Sequence, residues 1–103
     1  LPEYAMVGIS KAAIEAAVRY LAVELAPTGI VCNAISPGVV ETEALDFFPS
    51  REQILAEGLR RTPAGRFVQP EEVARLVAFL CSDDARMIMG QVITIDGGYA
   101  LLA

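Results

Sequence analysis

Residues 30–38, Ile30-Val31-Cys32-Asn33-Ala34-Ile35-Ser36-Pro37-Gly38, form a short apolar run closed by a Pro-Gly turn. A run of that length fits a parallel strand buried on both faces. Upstream, residues 7–26 are rich in alanine and carry no Pro or Gly after Gly8, so they predict one helix. Ile14, Val18, Leu21 and Leu25 repeat at helical spacing as its apolar stripe. Ala12, Ala13, Ala16 and Ala17 would let a second helix approach closely. Pro27-Thr28-Gly29 ends the element.

Downstream, residues 39–50 predict a loop with at most one helical turn around Thr42 to Phe48. Ser50 with Gln53 three residues on has the form of a capping box, and helix should follow to about Arg61. Thr62-Pro63-Ala64-Gly65 breaks it. Gln69-Pro70-Glu71-Glu72 opens another helix, with Pro near its first position and acids in its first turn. Val73, Leu76, Val77 and Leu80 make the expected buried face, and Ser82-Asp83-Asp84 ends the element. Gly90 precedes a second strand, Gln91 to Ile95, which stops at Asp96-Gly97-Gly98. Helices alternating with strands imply an α/β fold with a parallel sheet and right-handed crossovers. Two strands expected to be buried on both faces point to the C-terminal part of a larger domain. The remaining half is expected before Leu1.

Composition narrows the function. Of 103 residues, 54% are hydrophobic and 20% charged, which excludes a disordered chain. A formal net charge of −5 argues against nucleic acid or a membrane surface as the main partner. Histidine is absent, so this segment holds no Ser-His-Asp or Cys-His machinery and no zinc site built on His. Cys32 and Cys81 are too few for a disulfide scaffold or a four-thiolate metal site. Both sit in apolar contexts and are expected to be buried, inert thiols in a cytoplasmic setting. No apolar run approaches 18 residues, and Leu1-Pro2-Glu3-Tyr4 lacks the features of a signal peptide.

Four pieces in order carry a family resemblance. They are Tyr4 to Lys11; Val31 to Gly38 with Thr42 four residues later; Arg66 to Ala74; and Gly90 to Gly98. Together they resemble the C-terminal half of a short-chain dehydrogenase/reductase. The implied fold is the C-terminal part of a doubly wound, parallel-sheet Rossmann fold. Many members of that superfamily carry Tyr four positions before Lys. Here that position is Val7, and Tyr4 stands seven before Lys11. Tyr-x6-Lys is the spacing of the enoyl-acyl-carrier-protein reductases. Arg19 to Leu25, Phe48 to Glu52, Arg61 to Arg66 and Met87 to Gln91 are similar to the NADPH-dependent bacterial type III enzymes of that group.

The resemblance implies reduction of the C2–C3 double bond of an enoyl thioester in fatty-acid synthesis. Hydride addition at the β-carbon leaves enolate charge on the thioester oxygen, and a donor aimed there lowers the barrier. Tyr4 is the candidate donor and a substrate contact. Lys11 is the single lysine among eight Lys and Arg residues. By resemblance it binds the nicotinamide ribose and supports the tyrosine, a task that suits a compact ammonium better than a planar guanidinium. Pro37, Gly38, Val39, Val40 and Thr42 fall at the carboxyl end of a strand, where open α/β sheets bind ligands. The resemblance gives them contacts to the dinucleotide, NADPH with NADH as the other possibility. Leu45, Phe47 and Phe48, with Ile54 and Leu55, offer an apolar wall for the acyl chain or plain core. No metal is implied. Asp96-Gly97-Gly98 is read as structural and as lying near a subunit interface.

The Gly-rich phosphate turn of a Rossmann fold is not in these residues, so the segment alone is expected to be inactive. The other short-chain reductases, including 3-oxoacyl-acyl-carrier-protein reductases, are a second reading, against which Val7 argues. A non-catalytic oligomerisation module is a third. The family commonly forms homotetramers.

Overall fold

A computed structural model describes residues 4–40 and 49–102. The chain splits into two compact units: Leu1–Ala34 with Phe79–Ile93, and Ile35–Ala78 with Thr94–Ala103. In order, the elements are α1 (Ala5–Leu25), β1 (Ala34–Pro37), α2 (Arg51–Arg60), α3 (Pro70–Leu80), β2 (Val92–Ile95) and α4 (Tyr99–Leu102). Single 3-10 turns follow α1 at Ala26–Thr28 and α3 at Asp83–Ala85. β1 and β2 form a two-stranded sheet. The Ala34 amide donates to the Gln91 carbonyl and the Gly38 amide to the Ile95 carbonyl, each at 2.9 Å. Both strands advance four residues between these bonds, so they run parallel. The α/β expectation is met.

In the first unit, Val18 and Ala22 are the buried residues of α1, four apart and on one face. Gly90, at φ +67°, brings the chain against that face, and a Cβ there would lie 3.3 Å from the Ala22 Cβ. Asn33 secures the same loop. Its Nδ2 donates to the Ile88 carbonyl at 2.7 Å. Its Oδ1 accepts from the Gln91 amide at 3.0 Å. The Gly90 amide donates to the Cys32 carbonyl. A side chain with both a donor and an acceptor is what this pairing requires.

The second unit is built around Val68, Thr62 and Gly58, all buried. Thr62 Oγ1 donates to the Gly58 carbonyl at 2.6 Å, satisfying its buried hydroxyl. The Val68 amide donates to the Val39 carbonyl at 3.2 Å and the Ala64 amide to the Gly97 carbonyl at 3.0 Å. Gly97 sits at φ +63°, and a Cβ there would come within 2.9 Å of both Ala64 and Thr62. α3 opens on Gln69, whose amide donates to Glu72 Oε1 at 3.0 Å. Arg66 donates to the same carboxylate through both terminal nitrogens, at 2.6 and 3.0 Å.

Several expectations are corrected. β1 begins at Ala34, not Ile30, and Asn33 just before it bonds the 88–91 loop through its side chain. Neither strand is buried on both faces: β1 is half-buried and then exposed, β2 largely half-buried. Ser50 precedes α2, but its side chain caps nothing. The reciprocal acid of a capping box occurs instead at Glu72 on α3. Along α1, Ile14 and Leu21 are exposed, and on α3 Val77 is exposed as well. Cys32 is half-buried and Cys81 exposed, so neither is a fully buried thiol. Among the described residues no helix is long and apolar enough to cross a membrane. None of their His, Cys, Asp or Glu side chains cluster in threes as a metal site.

Candidate functional site

Tyr4 and Lys11 belong to the first unit. Tyr4 occupies the N-cap of α1, with φ −96° and ψ 0°, and its carbonyl accepts from the Gly8 amide at 2.8 Å. Its ring lies beside Gly8, where an added Cβ would meet Cδ1 at 3.5 Å and Cε1 at 3.8 Å. Tyr4 as a whole is 41% exposed. Lys11 stands on the second turn of α1, also exposed. Seven residues on a 3.6-residue helix return to within about 20° of one line, displaced about 10 Å along the axis. Val7 lies between them, 44% exposed, its carbonyl taken by the Ser10 hydroxyl at 2.6 Å. Tyr4 and Lys11, both exposed, bring a phenol and an ammonium to the N-terminal end of α1, two groups that can donate hydrogen bonds.

Pro37, Gly38, Val39 and Val40 belong to the second unit, at the carboxyl end of β1. Two of their backbone groups are already committed. The Gly38 amide donates to Ile95 and the Val39 carbonyl accepts from Val68. Any dinucleotide contact from this segment falls to its other backbone groups. Gly38 is glycine for an internal reason: a Cβ there would lie 2.8 Å from the Cα and Cβ of Asp96. Its missing side chain leaves room for Asp96, whose carboxylate accepts from the amides of Gly98 at 2.8 Å and Ala100 at 2.9 Å. Sequence reasoning missed Asp96 and Gly58 as supports of this segment. The available signal was a glycine inside an otherwise helical stretch, Ala56-Glu57-Gly58-Leu59-Arg60. Thr42, Leu45, Phe47 and Phe48 lie outside the described residues. Of the remaining wall, Ile54 is 37% exposed and Leu55 half-buried, both on α2.

One titration is strongly displaced. The bidentate hydrogen bond from Arg66, with the Gln69 amide second, draws the Glu72 carboxyl down to about 2. Arg66, Glu72, Phe67, Val68, Ala64, Ile95 and Gly97 surround a cavity of about 60 Å³, so the ion pair walls the turn that supports β2.

Comparison with known proteins identifies the family. The family model described as Enoyl-(Acyl carrier protein) reductase matches residues 1–100. The chain belongs to that family, within the short-chain dehydrogenase/reductase superfamily of nicotinamide-dependent oxidoreductases. It is 44% identical over 104 residues to 1-cyclohexenylcarbonyl-CoA reductase of Streptomyces collinus, covering 99% of this chain and 37% of that protein. It is 40% identical over 103 residues to the NADH-dependent enoyl-[acyl-carrier-protein] reductase FabI of Escherichia coli strain K12, covering 100% and 39%. The 3-oxoacyl-[acyl-carrier-protein] reductase FabG of Thermotoga maritima is 42% identical over 92 residues, covering 89% and 37%. A short-chain dehydrogenase family structure from Francisella tularensis superposes with a TM-score of 0.79 at 33% identity, covering 90% of this chain and 42% of that one. The chain thus spans 37–39% of the length of these curated relatives.

Proposed function

We propose that this chain is the C-terminal portion of a reductase domain that saturates the C2–C3 double bond of enoyl thioesters with a nicotinamide dinucleotide. The observation that carries the reading is the triplet Tyr4, Val7, Lys11. The position four before the lysine holds a side chain with no proton to give, and the phenol stands seven before it. Tyr4 donates its phenolic hydrogen bond to the thioester oxygen as enolate charge gathers there, which is where a fixed donor is worth most. Lys11 donates to ribose hydroxyls and adds positive charge near the phenol. Backbone groups of Pro37 to Val40, with Thr42, orient the nicotinamide end. Leu45, Phe47 and Phe48 enclose the acyl chain. The dinucleotide, when bound, supplies the hydride.

The named substrate of the Streptomyces relative is an alkene conjugated to a thioester carbonyl, the same bond arrangement as an enoyl thioester. The FabI relatives are named for acyl-carrier-protein substrates, which supports an acyl-carrier-protein-linked substrate here; fatty-acid synthesis, a homotetramer and a cytoplasmic setting are part of the same proposal. The FabI relatives are NADH enzymes by name, so NADH stands beside NADPH as cofactor. A second reading, reduction of 3-oxoacyl thioesters, is favoured by the FabG likeness alone.

Tyr4→Phe in the complete reductase tests the assignment. With crotonyl thioester, kcat should fall by about a hundredfold while dinucleotide affinity holds, as expected for loss of one oxyanion donor. An unchanged kcat would remove Tyr4 from the chemistry.

A further inference from the structure

Gly58 lies inside α2, with its helical carbonyl held by the Thr62 hydroxyl. Glycine is a poor choice at a helix interior, where it loses more backbone entropy than alanine. Neither a cap nor a positive φ explains it here. The explanation is Val39. A Cβ built on Gly58 would lie 2.8 Å from Val39 Cγ2, 3.2 Å from Cγ1 and 3.4 Å from Cβ. Turning the valine about χ1 by one staggered step can put hydrogen in place of the nearer methyl, but a methyl then still fills the 3.2 Å position. The Val39 Cβ is fixed to the backbone, and that backbone is held through its carbonyl by the Val68 amide. A Cβ at 58 therefore crowds Val39 in every χ1 well, and what rotation cannot relieve falls on α2 or the backbone at Val39.

We infer that Gly58 is a positioning residue: the notch it leaves in α2 seats Val39 and thereby sets the backbone of residues 37–40 for dinucleotide binding. The inference rests on the reading of that segment as cofactor-binding. It joins α2, which carries Ile54 and Leu55, to the strand end through one knob-in-notch contact. The Thr62 bond fixes the notch from the other side, and Gly97 packs on Thr62. Displacing the 37–40 backbone should weaken dinucleotide binding.

The test is a double-mutant cycle in the complete reductase, reading NADPH and NADH affinity by nicotinamide fluorescence. Gly58→Ala overpacks the contact, and dinucleotide Kd should rise about fivefold or more. Val39→Ala empties the notch and should also weaken binding. Gly58→Ala with Val39→Ala exchanges one methyl for two. It should bind more tightly than Gly58→Ala alone, so the two effects are non-additive. A purely structural glycine would shift melting temperature and leave Kd unchanged among folded molecules. Unchanged Kd in Gly58→Ala, or strictly additive effects, would overturn the inference. If Gly58→Ala does not fold, Val39→Ala decides alone, and unchanged affinity there overturns it. Wild-type protein that binds neither dinucleotide refutes the cofactor reading instead, which keeps the two failures apart.

Discussion

Four positions before Lys11, an isopropyl group stands where a phenol would place a proton donor one helical turn away. The consequence is chemical: Val7 can neither donate a proton nor polarise a carbonyl, and the enoyl reductase proposal gives that task to Tyr4, at the N-cap of α1. Lys11→Ala should raise dinucleotide Kd by about tenfold or more, the scale of a lost charge-assisted hydrogen bond, with fluorescence titration as the check. Glu72 supplies a pH dependence. Its folded carboxyl is held near 2, below the ordinary value of 4.5, so its stabilising contribution is complete above about 4.5. That contribution is lost as pH falls from there toward 2. Glu72→Gln should therefore lower the melting temperature by about a few degrees at pH 7 and by much less near pH 2. Equal shifts at both pH values would contradict the assignment. The Tyr4 and Lys11 pair was proposed from its spacing together with the family resemblance. The role of Gly38 was not: Pro-Gly at a strand end suits both a ligand turn and a close contact, and only the proximity of Asp96 shows the contact.

At the level of elements, the order of helices and strands was readable because each boundary has a local chemical sign. Pro27-Thr28-Gly29 closes α1, Pro70 opens α3, and Asp96-Gly97-Gly98 closes β2. Where the expectation erred, a long-range partner had intervened. Asn33 belongs by composition to an apolar run, yet its amide holds Ile88 and Gln91, more than fifty residues away. Ser50 matches a capping pattern, but the reciprocal hydrogen bond forms at Gln69, where Arg66 also orients Glu72. The Asp96 turn yields a further test. Gly97→Ala places a Cβ at φ +63° within 2.9 Å of both Ala64 and Thr62. It should destabilise the protein by about 1–3 kcal/mol, read from denaturant midpoints. Gly65→Ala has a similar positive φ with open space around its Cβ position, and should cost less.

Across the whole molecule, the apolar residues buried among those described are few: Val18, Ala22, Val68 and Ala85. Met6, Ile9, Tyr20 and Val23 on α1 are between 65% and 80% exposed. A segment of 103 residues with so much open apolar surface needs further protein against it to be well packed. Expressed alone, residues 1–103 should bind a hydrophobic dye such as ANS strongly and bind no dinucleotide, whereas the complete reductase should reverse both results. The most direct test of the enoyl reductase account is the ratio of NAD(P)H oxidation rates with crotonyl and acetoacetyl thioesters, measured on one preparation of that reductase. The account predicts rapid oxidation with crotonyl thioester and little with acetoacetyl thioester. The opposite preference would contradict it and assign the site to ketone reduction.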